Sequence, residues 1–443
     1  MVRAGRSASL GAIVAPGNVV YSDGQKSTIM KLIERGMREF RTINLAFFAA
    51  GFVTFITLYD VQPLLPLFSR EFSLSAAASS LAVSVATATL AVSMLIVGTL
   101  SESVGRKPVM VASLILTSCL ALLTALTHSF LSLLAVRLLQ GLVLAGLPAV
   151  AMAYLGEEIA PASLAAAMGL YIAGNAVGGM TGRIFTVAMT QVLPWRTVMA
   201  IIGAGCLLLA LYFLAKLPPS RNFKPKPFDL RALSASLVRQ LGRQDLLCLY
   251  AIGFLVMGGF VTTYNYITFR LVDPPYSLSR VTVGWIFAAY LFGSYASALA
   301  GRLAGRFGRG RVAFVSLAFL LAGAALTLLP WLAGIVIGVI FITVGFFGTH
   351  SIASGWVPAQ AADSRGPASA VYLFVYYLGS SVCGTAGGLF YSRFGWPGVA
   401  AFIALLALLA LAVLWRLAHI VASVEVSLHD EGRRPVGPAG GVF

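Results

Sequence analysis

Apolar runs of about twenty residues recur along the chain, and each is long enough to cross a hydrocarbon core of about 30 Å as a helix. Twelve such spans are predicted, near 44–67, 75–100, 108–127, 130–154, 164–189, 196–216, 246–270, 281–301, 312–330, 331–354, 368–390 and 396–418. The one long polar interruption, 217–244, divides them six and six. It is basic and proline-rich at its start and amphipathic from Asp229, which predicts a linker carrying a surface helix. The fold class that follows is an all-α polytopic membrane protein with two six-helix bundles, at 43–216 and 245–418. Residues 1–42 form an N-terminal extension with a surface helix, and 419–443 form a tail. The Gly, Ser, Ala and Val content of residues 1–29 predicts a disordered extension, or a start upstream of the true initiator at Met30.

The two halves share punctuation. "GTLSESVGRK" (98–107) follows the second span and "GRLAGRFGRG" (301–310) follows the eighth, so that Gly98, Leu100, Gly105 and Arg106 align with Gly301, Leu303, Gly308 and Arg309. Gly174, Gly179 and Gly182 align with Gly379, Gly384 and Gly387. Two halves repeating in this way point to duplication, and in secondary transporters the substrate site lies between such repeats.

Composition agrees with a membrane protein: 59% of residues are hydrophobic and 10% charged, against about 25% charged in soluble domains. The net charge of +16 would suggest nucleic acid in a soluble chain. The distribution of charge excludes that partner. With both ends in the cytoplasm, 24 of the 31 Lys and Arg residues fall in cytoplasmic segments, five in outer loops and two, Arg137 and Arg183, inside spans. Cys119, Cys206, Cys248 and Cys383 have no metal-ligand spacing and read as small buried hydrophobes without disulfides. The N-terminus has no secretory signal; the first span directs insertion.

Of the fifteen acidic residues, only Asp60 lies well inside a span. A carboxylate near the bilayer centre costs about 2.5–3.5 kcal/mol on insertion scales, and an intramembrane charge marks a functional site by default. Arg137 in the fourth span and Arg183 in the fifth lie at similar depth, and either can offset it. One acid between two arginines suits a proton site that exchanges partners on protonation; a static salt bridge is the alternative. Pro63 and Pro66 predict a kink just beyond Asp60. His350 is the only histidine inside a span. It and Gln140, Tyr264, Asn265, Tyr266, Tyr372, Tyr376 and Tyr377 are candidates for a substrate cavity, set against ordinary core packing.

Small residues recur every fourth position in four spans: Ser80, Ser84 and Ala88 in the second, Gly174, Gly178 and Gly182 in the fifth, Gly293, Ser297 and Gly301 in the eighth, Gly384 and Gly388 in the eleventh. Such ridges let helices approach closely. At the cytoplasmic edge, Glu102, Arg106 and Lys107 lie beside Glu157 and Glu158 by topology.

"GTLSESVGRK" resembles the signature loop between helices 2 and 3 of the major facilitator superfamily, and "RLLQG" (137–141) resembles its helix 4 motif. "YDVQPLLPLF", "GLYIAGNAVGGMTGR" and "YYLGSSVCGTAGG" resemble the acriflavine-sensitivity (YnfM-type) family of proton-driven exporters. The resemblance covers about 30–420. Glu102 stands where Asp is usual, and Ser103 where Arg is usual, which removes one basic contact. The resemblance implies alternating access, with helices 2, 5, 8 and 11 sliding past one another along the small-residue ridges. It also implies that Gly98, Glu102, Gly105, Arg106 and Lys107, with Glu157 and Glu158, form a cytoplasmic gate that locks the outward-facing state.

No P-loop, HExxH or GxSxG occurs, and no segment is long or polar enough for a nucleotide-binding domain, so neither an enzyme nor an ATP-driven pump is expected. The expected function is secondary active transport of a small organic solute across the inner membrane, by proton-coupled export. No cofactor is expected beyond the driving proton, the lipid bilayer is the surrounding partner, and a monomer suffices. A differently coupled or uncoupled sugar or metabolite exporter is the first alternative, and a transporter-fold receptor or channel the second.

Overall fold

A computed structural model describes residues 18–23, 26–225, 227–361 and 364–431. Two short strands, β1 (Asn18–Asp23) and β2 (Lys26–Lys31), pair antiparallel. That corrects the expectation of disorder across 1–29 for this part; residues 1–17 lie outside the described residues. The expected surface helix before residue 42 is absent among the described residues, because the first membrane helix itself begins at Arg38.

The N-terminal half comprises α1 (Arg38–Tyr59), a 3-10 turn (Gln62–Leu64), α2 (Leu65–Glu71), α3 (Ala76–Val104), α4 (Arg106–Thr124), α5 (Phe130–Leu144), α6 (Ala151–Glu158), α7 (Pro161–Met189) and α8 (Trp195–Lys216). The surface helix α9 (Leu230–Leu241) follows. The C-terminal half comprises α10 (Gln244–Val272), α11 (Arg280–Gly284), α12 (Ala289–Phe307), α13 (Arg309–Leu326), α14 (Leu332–Gln360) and α15 (Arg365–Glu431).

Among the described residues, ten helical stretches are long and apolar enough to cross a bilayer. One of them, α15, leaves helical geometry at Gly395 (φ 62°), just before Pro397, and so makes two crossings. The predicted fourth span is divided: α5 stops at Leu144 and α6 resumes at Ala151. Pro148 has no N–H for the Leu144 carbonyl, which accounts for the stop. With α5 and α6 taken together, twelve segments cross.

The halves are built alike. A Cβ at Gly174 would strike the Phe48 carbonyl in α1, and one at Gly379 would strike the Phe254 carbonyl in α10. Gly182 meets Ile56 as Gly387 meets Thr262. Gly105 and Gly308 both turn the chain with positive φ, 110° and 88°, a conformation that side-chain-bearing residues rarely adopt.

This geometry corrects one expectation about the ridges. Gly174, Gly178 and Gly182 seat α7 against α1 of the same half, and Gly293 seats α12 against Phe347 of α14. They hold each half together. Of the four ridges, only those of the second and eleventh spans meet residues of the other half. Gly388 packs on Ala77, Ser381 donates to the Ser84 carbonyl at 2.8 Å, and Thr385 donates to Ser84 Oγ at 2.8 Å. Val187 against Gly284 and the exposed Arg70–Asp273 pair at 2.9 Å join the halves nearby. These contacts lie at the end of the bundle away from the arginine-rich loops. At the basic end, Gly301 and Gly305 of α12, and Gly308 just after it, have nothing within 4 Å of a Cβ, and the named contacts between the halves all lie toward the far end.

Candidate functional site

The centre of the site is a break in the first membrane helix. Pro63 cannot bond the Tyr59 carbonyl, and α1 ends at Tyr59. Asp60 lies at this break, 2% exposed. Its Oδ1 accepts the Val61 N–H at 2.8 Å. Val61 N–H would otherwise bond the Thr57 carbonyl, and that carbonyl instead accepts from Arg137 Nη1 at 2.8 Å. The carboxylate thus captures one main-chain donor and frees an acceptor for the arginine.

Arg137 spends its fork on four oxygens. Nη2 bonds the Leu58 carbonyl at 2.5 Å, Nε bonds the Ala82 carbonyl of α3 at 2.8 Å, and Nη1 also bonds Gln140 Oε1 at 2.6 Å. Its Nη1 stands 3.6 Å from Asp60 Oδ1, an ion pair without a direct hydrogen bond. Asp60 and Arg137 are therefore held close, each by its own main-chain partners.

Arg183, the other arginine at this depth, turns elsewhere. It donates to Gln62 Oε1 and to the Gly179 carbonyl, both at 2.6 Å, and lies over the rings of Tyr59 (4.2 Å), Tyr290 (4.8 Å) and Phe287 (5.7 Å). Among the described residues, no carboxylate is within 4.0 Å of it. Gln62 continues the chain across the halves: its Nε2 donates to Asn265 Oδ1 at 2.7 Å. Sequence reasoning missed Gln62. A second polar residue two positions from Asp60, inside an apolar run, was its signal.

The remaining cavity candidates separate by burial. Tyr264 bonds Thr343 Oγ1 at 2.8 Å, Tyr266 bonds the Gly384 carbonyl at 2.6 Å, and both are fully buried in the C-terminal half. Gln140 is committed to Arg137. His350 and Tyr376 are half-buried. His350 Nδ1 is 2.9 Å from the Tyr372 hydroxyl, and its ring lies 4.6 Å from that of Tyr376. Tyr372 and Tyr377 are buried beside them. The aromatic wall runs on from His350 to Phe346 (5.7 Å), from there to Phe260 (3.9 Å) and so to Tyr290 (5.4 Å).

At the basic end, Arg106 bonds Glu157 at 2.7 and 3.1 Å and Ser101 Oγ at 2.6 Å, with Glu102 at 3.9 Å. Lys107 donates to the Leu217 carbonyl at 2.5 Å. Gly98 is open, with nothing near a Cβ. The named partners of this cluster all belong to the N-terminal half and the start of the linker. A recess of 380 Å³ lies beside it, between Val104–Val111 and Phe223. Arg106→Ala removes charge-assisted bonds worth about 1.5–3 kcal/mol. A melting temperature lowered to match, with a slower initial transport rate, is expected; wild-type melting would show that the cluster holds nothing.

Glu158 does different work. Its Oε1 accepts the main-chain N–H groups of Arg221 (2.7 Å) and Asn222 (2.9 Å), and its Oε2 accepts from Asn222 Nδ2 at 3.2 Å. Burial pushes its carboxyl above the usual carboxylate range. A raised acid binds its proton more tightly folded than unfolded, so folded-state stability is lost as pH climbs through the raised value. Glu158→Gln keeps the main-chain acceptor without the charge. The two proteins should melt alike at low pH, and wild type should fall behind as pH rises. A gap independent of pH in melting scans would contradict this.

The profile of the Major Facilitator Superfamily matches residues 44–273 and 267–443. The chain is similar to the MFS-type transporter YybF of Bacillus subtilis strain 168, 46% identical over 90% of this chain and 98% of that protein. It is also similar to the inner membrane transport protein YnfM of Escherichia coli K12, 44% identical over 89% and 96%. Among solved structures, a point mutant of the nucleoside transporter NupG superposes with a TM-score of 0.69 at 13% identity, over 84% of this chain and 99% of that one. A bacterial homologue of the human lysosomal transporter Spinster, inward-facing and occupied, superposes with a TM-score of 0.67 at 17% identity, over 87% and 98%.

Proposed function

The chain belongs to the Major Facilitator Superfamily, and from that premise we propose that it is a proton-coupled exporter of a small organic solute. It works as a monomer in the inner membrane, by alternating access, with both termini and the basic end in the cytoplasm. The asymmetry of 24 against five Lys and Arg residues supports the orientation.

The observation that carries the coupling is the buried Asp60–Arg137 pair at 3.6 Å, set at a helix break. Desolvation favours the neutral acid, and an adjacent guanidinium favours the carboxylate. A rocking motion that parts the halves beside Gln62 and Asn265 alters the first effect by changing the solvation of the Asp60 site, so proton affinity changes with conformation. His350 and Tyr376, half-buried on the aromatic wall, line the solute path, and the Arg106–Glu157 cluster braces the cytoplasmic end. Solute accumulation in everted vesicles under an imposed pH gradient tests the proposal; accumulation indifferent to the gradient sinks the coupling.

A further inference from the structure

We propose that Arg183 holds the anionic group of the transported solute, and that this solute is an aromatic organic acid. The inference rests on the transporter reading and adds the chemical class of the cargo.

The first observation is charge balance. Inside the spans, Asp60 is the single acid and faces Arg137, while Arg183 is 1% exposed and has no carboxylate within 4.0 Å among the described residues. A buried cation is costly unless a counter-charge reaches it. The Gln62 oxygen and the Gly179 carbonyl solvate Arg183 but leave its charge in place. Three ring faces supply cation–π attraction, which is weaker than an ion pair in a dry site. A carboxylate arriving with the solute would complete the balance, in the forked geometry a guanidinium favours.

The second observation is position. Arg183 and Tyr59 belong to the N-terminal half, whereas Phe287 and Tyr290 belong to the C-terminal half. The guanidinium sits in the seam between them, where each half supplies part of its cover. Parting the halves at the far end lifts Phe287 and Tyr290 away and uncovers it. The third is the wall. From Tyr290 the rings of Phe260, Phe346, His350 and Tyr376 follow one another toward the basic end. Of these, Phe260, Phe346 and Tyr290 are buried, and His350 and Tyr376 are the half-buried rings on which a flat ring can stack. The acid group and the ring of one small molecule thus each meet a complementary surface.

The test uses purified full-length protein in lipid nanodiscs and calorimetric titration. The probes are benzoate, phenylacetate and 4-hydroxybenzoate, each beside its neutral amide, with benzylamine as the cation. At least one acid should bind at least tenfold more tightly than its amide and than benzylamine. Arg183→Gln should erase that preference, and Arg183→Lys should retain part of it. If none of the acids binds, or acids and amides bind alike, the proposal is overturned, and this comparison on wild type holds even if the glutamine variant fails to fold. Preference that survives in folded Arg183→Gln also overturns it. Gradient-driven transport without acid preference leaves the coupling proposal standing; acid preference without gradient-driven transport does the reverse.

Discussion

Everted vesicles carrying Asp60→Asn should lose all accumulation driven by an imposed pH gradient, falling to the level of vesicles without the protein. Binding of solute and downhill exchange should persist. The asparagine Oδ1 can still accept the Val61 N–H, so the main-chain rearrangement that frees the Thr57 carbonyl is preserved. What disappears is the charge that titrates. Severing a buried ion pair ordinarily costs about 3–5 kcal/mol. Here the cost should fall below that range, because Arg137 keeps four oxygen partners besides Asp60. A variant that folds and still accumulates solute down a proton gradient would reduce Asp60 to a structural partner of arginine.

Two glycines of similar appearance should fail in different ways. Gly174→Leu drives a side chain into the Phe48 carbonyl inside the N-terminal half, where nothing can yield, and folded protein should be lost. Gly388→Leu drives one into Ala77 across the seam, where the halves can separate, and against the end of the Tyr266 side chain in its own half, which must swing aside. That variant should fold but stay open at the far end. An overpacking cost of about 1–3 kcal/mol borne by one state alone shifts the balance of states by about 5–150-fold. In a background without the four native cysteines, Thr190→Cys, beside the narrow far-end crevice, reports the change. Its labelling by an impermeant maleimide should accelerate with Gly388→Leu, while transport stops. Unchanged labelling, or loss of the fold, would remove Gly388 from the seam that moves.

Asp60 was legible in the sequence because hydropathy makes a lone carboxylate conspicuous. Its partner was not. Arg137 and Arg183 have similar depth, and depth is all that helical rise supplies; the angle around each helix decides which one faces Asp60. The same limit applies to the ridges. Spacing by four places Gly174, Gly178 and Gly182 on one face without saying what that face meets. The duplication was readable and recurs in space, down to Phe48 and Phe254 behind equivalent glycines. The interruption between α5 and α6 was masked by the apolar character of Val143–Val150, through which hydropathy runs unbroken, although Pro148 marked it.

The linker is shorter in practice than its length suggests. Glu158 fastens Arg221 and Asn222 to the N-terminal half, and the Phe223 ring lies 5.5 Å beneath the Arg106 guanidinium. On the other side, Gln240 of α9 bonds Ser364 at 3.0 Å, anchoring that helix to the C-terminal half. Between Phe223 and Gln240 lie only 224–229 and most of α9, a length of chain that reaches about 35 Å when 224–229 are fully drawn out and α9 stays helical. The segment is a leash: slack while the basic end is shut, taut when it gapes, and so a mechanical stop on how wide the mouth can open.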